Sequence, residues 1–228
     1  WNVGTRLSLA AGTDVEWENG TTAWSSNETF RRVESGWMIG RESGSPEEIA
    51  QGDYLPLGGS VDRLDALFSG AEPWDGEISG DEPARYYVPV FGVRDTRSLD
   101  LTVRGNWTFT PDLSLDLSSQ LFVARGQYGD FQVLTDPKTL GGLDAYPKQD
   151  VFSISSFQLN AVLRWEYRPG STLFFVWTQG RRADEQMNPL APAGPTPYDR
   201  PFDEQIADTF GLFPTNTVLV KLNYTFLR

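Results

Sequence analysis

The chain has 228 residues, a formal net charge of -12, no cysteine and no histidine. Without those two residue types, disulfides, thiol catalysis, cysteine–zinc centres, Ser-His-Asp hydrolysis and histidine-held metals are all excluded. The acidic balance argues against nucleic acid as a partner, and no apolar run approaches the ~18 residues of a membrane helix.

The chain begins at Trp1 with no initiating Met, no basic n-region and no apolar leader, so it reads as a processed piece of something longer. Val3, Leu7 and Leu9 alternate with Asn2, Arg6 and Ser8, the period of a strand. The stretch 19–84 is mostly Gly, Glu, Asp and Ser and reads as a loop-rich insertion, with Phe30 to Arg41 as its one strand candidate. Its acidic groups Asp75, Glu77, Asp81 and Glu82 could offer oxygens to calcium, but the spacing is not an EF-hand, and solvated loops are the plainer reading. Glu34, Glu47, Glu48 and Asp53 could serve a glycoside hydrolase only if two of them converged across a sugar. Glycine-rich Leu57 to Ser60 and Leu140 to Leu143 lack the setting and the Lys of a phosphate loop, so no cofactor is expected.

After a turn expected at Asp95 to Arg97, alternation becomes sustained. Leu99, Leu101, Val103, Trp107 and Phe109 form one apolar set; Leu113, Leu115, Leu117, Leu121 and Val123 form the next. Phe157, Leu159, Ala161, Leu163, Trp165 and Tyr167 follow, then Leu173, Phe175 and Trp177. Val218, Val220, Leu222, Tyr224 and Phe226 close the series. Each is about the nine to eleven residues of a tilted membrane strand. Pro111-Asp112 and Pro169-Gly170 are tight turns, while 126–151 and 184–214 are long and polar. Counting back from a C-terminus placed in the periplasm puts both Pro turns there and both long loops outside, the asymmetry of outer-membrane barrels. The count reaches the first strand only with an additional strand inside 19–84.

A soluble antiparallel sandwich would alternate too. Aromatic residues at the Pro-turn ends (Trp107, Phe109, Trp165, Tyr167, Tyr224 and Phe226) favour an interfacial girdle. The fold expected is therefore an all-β, antiparallel transmembrane outer-membrane β-barrel, contributing about eight strands to a larger barrel.

Two segments are distinctive: NAVLRWEYRPGSTLFFVWTQ from Asn160, and Leu99 to Leu121 with its Thr108-Phe-Thr-Pro-Asp-Leu-Ser core, followed by Gly126-Gln-Tyr-Gly-Asp-Phe. Together they resemble the C-terminal part of bacterial proteins carrying domain of unknown function 5916, over Arg85 to Arg228. The resemblance implies a barrel that a carbohydrate-binding, family-nine-like domain usually precedes, and it supplies no catalytic residues.

The lumen-facing charges would be Asp100, Arg104, Asp116, Arg164, Glu166 and Lys221, which can tune a pore or simply pair with one another. Trp24, Trp37, Trp74 and Tyr146 are loop aromatics that could stack on sugars or pack on the rim. The expected role is solute passage or surface handling of glycan-derived ligands in the bacterial outer membrane. The alternatives are a surface anchor or adhesin, and an outer-membrane glycan hydrolase. Partners would be the lipid bilayer, the barrel-assembly machinery, and an oligosaccharide or surface protein.

Overall fold

A computed structural model describes residues 6–40, 54–69, 85–136, 138–147, 150–186 and 197–226. Its elements in chain order are β1 (Leu7–Val33), β2 (Gly36–Gly40), β3 (Tyr54–Leu57), α1 (Val61–Phe68), β4 (Arg85–Thr110) and β5 (Leu113–Asp136). Then come β6 (Thr139–Gly142), β7 (Val151–Arg168), β8 (Ser171–Gln186), a 3-10 turn (Pro197–Asp199), α2 (Phe202–Gly211) and β9 (Thr215–Asn223). The nine strands form one antiparallel sheet in the order β3-β2-β1-β4-β5-β7-β8-β9, with β6 pairing to β5. Among the described residues the sheet is open: β9 does not meet β1.

Both Pro turns behave as expected. Gly170 sits at φ +76°, which glycine adopts without cost, and Pro169 before it supplies a fixed φ. These turns and the end of β9 lie at one end of the sheet, while the connections after β1, β5 and β8 leave from the other. We call these the turn end and the loop end.

The strands are far longer than a membrane needs: β4 has 26 residues and β5 has 24. Accordingly, the turn expected at Asp95 to Arg97 does not exist. Asp95 instead accepts the N–H of Gly20 at 3.0 Å, where β1 bulges between Glu18 and Thr21 and Gly20 takes φ +73°. The carboxylate that looked like turn chemistry serves a bulge on the neighbouring strand. Nor is 19–84 loop from its first residue, because β1 continues to Val33. Of the candidate strand Phe30 to Arg41, the described part to Gly40 is a hairpin, its two arms paired from Val33↔Gly36 to Phe30↔Ile39.

The main hydrophobic core lies at the loop end. It joins Phe30, Trp37, Ile39, Leu57, Leu64, Phe68, Val88, Val90, Phe131, Val133 and Leu143. In α1, Leu64 and Phe68 stand four residues apart and so share one side of the helix, which is buried. The Phe68 ring stacks on Trp37 at 4.4 Å and meets Phe30 at 5.0 Å. Along β4, Val88 and Val90 are in phase with Asp100 and Arg104, so α1 covers the same face of the sheet that carries those charges.

Phe68→Ala empties the centre of this cluster and should cost about 3–5 kcal/mol. Limited proteolysis would check it: cleavage within α1 should rise steeply while β4 to β8 stay protected.

Candidate functional site

Directly paired residues in an antiparallel sheet point to the same side, so the register sorts the six long strands into two faces. One continuous row runs Leu9–Gly105–Leu117–Ala161–Trp177–Val218. The row nearer the turn end runs Leu7–Trp107–Leu115–Leu163–Phe175–Val220. Apart from Val3, which lies outside the described residues, the apolar sets read from the sequence therefore fall on one face, interrupted by Thr13, Gly105 and Ser119. Much of it is exposed, including Trp107 at 47%, Trp165 at 47% and Val220 at 62%.

This belt is slanted. Counted up to the first sustained polar or charged positions, it ends toward the loop end at Val218 on β9 and Trp177 on β8, but at Phe157 on β7, Val123 on β5, Leu99 on β4 and Trp17 on β1; beyond these, Val151, Phe91, Val93 and Trp24 are apolar again on the same face. Val218 shares a row with Leu9, so the edge on β1 lies eight residues higher. Eight residues gained over five strand-to-strand steps, at about 3.3 Å per residue and about 4.8 Å per strand, make a slant of roughly 45–50°. Near the loop end of β5 the belt is covered instead of exposed: Leu121 and Val123 are 7% and 0% accessible. There α2 packs over β5 and β7, with Phe210 against Phe157 at 5.0 Å.

The opposite face is mainly polar over β1, β4 and β5, and turns apolar toward β8 and β9, where Phe174, Val176 and Leu219 stand beside Val162. The structure brings Asp100, Arg104, Asp116, Arg164, Glu166 and Lys221 to this one side, with Arg164 between Ser114 and Phe174, and Phe174 paired to Lys221. Asp100 accepts from Gln120 at 2.6 Å and Thr102 at 3.1 Å, and Asp116 accepts from Asn106. Arg164 bridges to Glu166 at 3.1 Å, whose other oxygen accepts the Gly170 N–H at 3.0 Å. Arg104, Asn106, Asp116, Ser118 and Asn160 line an open groove of about 320 Å³. The carboxylates here are thus already hydrogen-bonded, in a groove offering amides, hydroxyls and a guanidinium.

Two expected stacking residues are not available. Trp37 is 4% exposed because it is the platform for Phe68, and its indole N–H donates to Asp65 at 2.7 Å. Tyr146 packs on Phe131 at 4.1 Å and donates its hydroxyl to the buried Glu28. Burial and the neighbouring carboxylate push its pKa upward. Trp24 remains exposed at 55%, and Trp74 lies outside the described residues. So do the acidic groups at 75–82, and Glu47, Glu48 and Asp53. Among the described residues no group of three or more acidic side chains could hold a metal ion.

Sequence reading missed a cluster under α2. Arg97 and Arg125 are neighbours in a row just beyond the belt, on its face. Arg125 lies over the Phe202 ring at 4.1 Å and Arg97 over Tyr198 at 4.6 Å. Gln205 is 6% exposed and donates to Ser153 at 2.9 Å and to the carbonyls of Ala124 and Ile154. The available signal was Phe202, Ile206 and Phe210 at intervals of four inside the supposed loop 184–214.

With the two faces established, comparison with known families is informative. A family model described as a domain of unknown function (DUF5916) matches residues 80–226. The chain belongs to that family. Comparison with curated proteins and with solved structures returns no match. The family match begins just before β4, so it takes in β4 to β9 and leaves out β1 and α1.

The contact that seats α1 is titratable. Hydrogen bonds from Arg32 and then Trp37 hold the Asp65 carboxyl below the usual aspartate range. A carboxyl depressed in the folded state stabilises docking above its unfolded pKa, and that contribution is lost as pH falls through the lower folded value. Hydrogen exchange of the α1 amides should therefore accelerate below about pH 4, and Asp65→Asn should remove this acid dependence.

Proposed function

We propose that this DUF5916 chain forms part of the wall of a bacterial outer-membrane β-barrel, whose polar face lines a lumen handling glycan-derived solutes. The observation that carries the reading is the slanted belt. Strands crossing a bilayer tilt by about 45°, and a horizontal lipid slab drawn on such strands climbs across them at that angle. From Tyr167 to Phe157 the belt runs about 33 Å along β7, or about 23 Å measured across the slant, against an apolar band about 25 Å tall in such barrels. Aligned soluble sandwiches pack their sheets at only about 30°, and soluble surfaces rarely expose apolar patches beyond a few hundred Å². Aromatics at the turn end (Trp107, Phe109, Trp165, Tyr167, Tyr224 and Phe226) suit the girdle at one interface. The open edges of β1 and β9 need partners in lipid, where every backbone group must be satisfied. Further strands would supply them.

For the solute, the groove supports a ligand with both apolar and hydrogen-bonding surface, such as a sugar ring, because Ala10, Leu117 and Val162 line it beside Arg104, Asn106, Asp116 and Asn160. The packing of α1 over the polar face at the loop end favours a second reading, in which the lumen is stoppered and the protein is a surface anchor.

Leu163→Arg places a charge in mid-belt and should cost about 2–4 kcal/mol of barrel stability. Loss of heat-modifiable mobility on gels is the expected result, and wild-type mobility would refute the membrane reading. Planar-bilayer recordings of the intact protein separate the other two. Conductance blocked by oligosaccharides supports passage, whereas a closed barrel that conducts only when α1 is released by Phe68→Ala supports the anchor.

A further inference from the structure

The cluster under the start of α2 is unusual in its charge. Arg125 is 4% exposed, yet its Nε and Nη1 meet no hydrogen-bond partner. A buried cation without a partner is costly and rare, and it calls for a counter-charge. The guanidinium lies 4.1 Å from the ring of Phe202, the first residue of α2. That helix starts after Pro201 with no side-chain cap, so the donors of its first turn remain open. Arg97 stands in the adjacent row position, over Tyr198. Arg200 is tied to Asp208 and, at 3.5 Å, to Glu204, so its own charge is answered locally. Burial first, then Arg97, lowers the pKa of Arg125; Tyr198 and Asp199 oppose this and Arg200 adds to it. Asp199 offsets one of the two remaining cations. Asp203 and Glu204 stand in the first turn of α2, yet the buried Nε and Nη1 of Arg125 are left without an acceptor.

We propose that Arg97, Arg125 and the first turn of α2 form a binding site for a phosphate-type anion, on the belt side of the sheet just beyond its loop-end edge. Guanidinium groups match phosphoryl oxygens in planar, two-pronged geometry, and a helix start adds further N–H donors. The site stands independently of the membrane reading. It explains why two arginines sit side by side under an aromatic helix instead of facing solvent. If the belt is in lipid, this position is at headgroup height, so the phosphate of a lipid is one source and free phosphate the other.

The test uses the intact protein in a non-ionic detergent, titrated with inorganic phosphate against chloride at constant ionic strength. Calorimetry and thermal unfolding provide the readouts. Saturable phosphate binding is expected, weakened at least tenfold in Arg97→Gln and abolished in Arg125→Met. Arg6→Gln, which alters an arginine at the turn end, should bind as wild type does. Arg97 is only half-buried, so its variant remains informative where Arg125→Met fails to fold. Bicelles of phosphatidylcholine with and without phosphatidic acid separate the sources. A phosphatidic acid phosphorus signal broadened by wild type but not by Arg97→Gln, and undisturbed by free phosphate, identifies a lipid. Its displacement by free phosphate identifies the soluble anion. Binding of neither probe, or equal binding by wild type and Arg97→Gln, overturns the site.

Discussion

Everything in this molecule depends on the period-two phase being kept across the long strands. A one-residue slip between any two would carry all of one strand's apolar side chains to the charged face. From Leu7↔Trp107 through Leu115↔Leu163 and Phe175↔Val220, each pairing keeps that phase. The tight turns at Pro111 and Pro169 help to set it, since a short turn leaves little freedom in register. Extra residues enter toward the loop end, at Gly20 and near Ser25 on β1 and near Asp130 on β5, and beside the two Pro turns, at Phe109 on β4 and Tyr167 on β7. Between those points the belt runs without interruption of phase.

The two faces follow from that constraint, and each is occupied in its own way at the loop end. On the polar face, α1 and the β2–β3 hairpin build a conventional core around Phe30, Phe68 and Val90. On the belt face, α2 and the preceding 3-10 turn cover Leu121 and Val123. A single sheet is therefore clamped between two small helical pieces at one end and left bare on both faces at the other. The bare half is where the slanted apolar surface and the hydrogen-bonded polar groove stand back to back.

Strand identity, face assignment and the two Pro turns were legible because alternation is a local property that neighbouring residues display together. All six charges expected on one side are there, Asp100 and Lys221 included, because phase alone decides it. Length and connection were less legible. Asp95 looks like a turn residue in isolation, and only its partner Gly20, 75 positions away, shows that it supports a bulge. For Trp37 and Tyr146 the sequence left stacking and packing both open, and the contacts with α1 and Glu28 that bury them have no sequence periodicity. The Arg97–Arg125 pair escaped notice for a similar reason. Each arginine interrupts its own apolar strand at one point, and only the sheet sets the two side by side.

The placement of all three long connections at one end has a consequence for how such a protein can change. Residues can be added to or removed from the stretch between β1 and β4 without altering any partner of the belt, because both strands re-enter the register below it. The long strands and the pieces docked on them are then separately variable, and a lineage could exchange α1 and its hairpin while keeping the sheet. A foreign segment grafted between β2 and β3 would be carried at that rim, held by a sheet indifferent to what it displays.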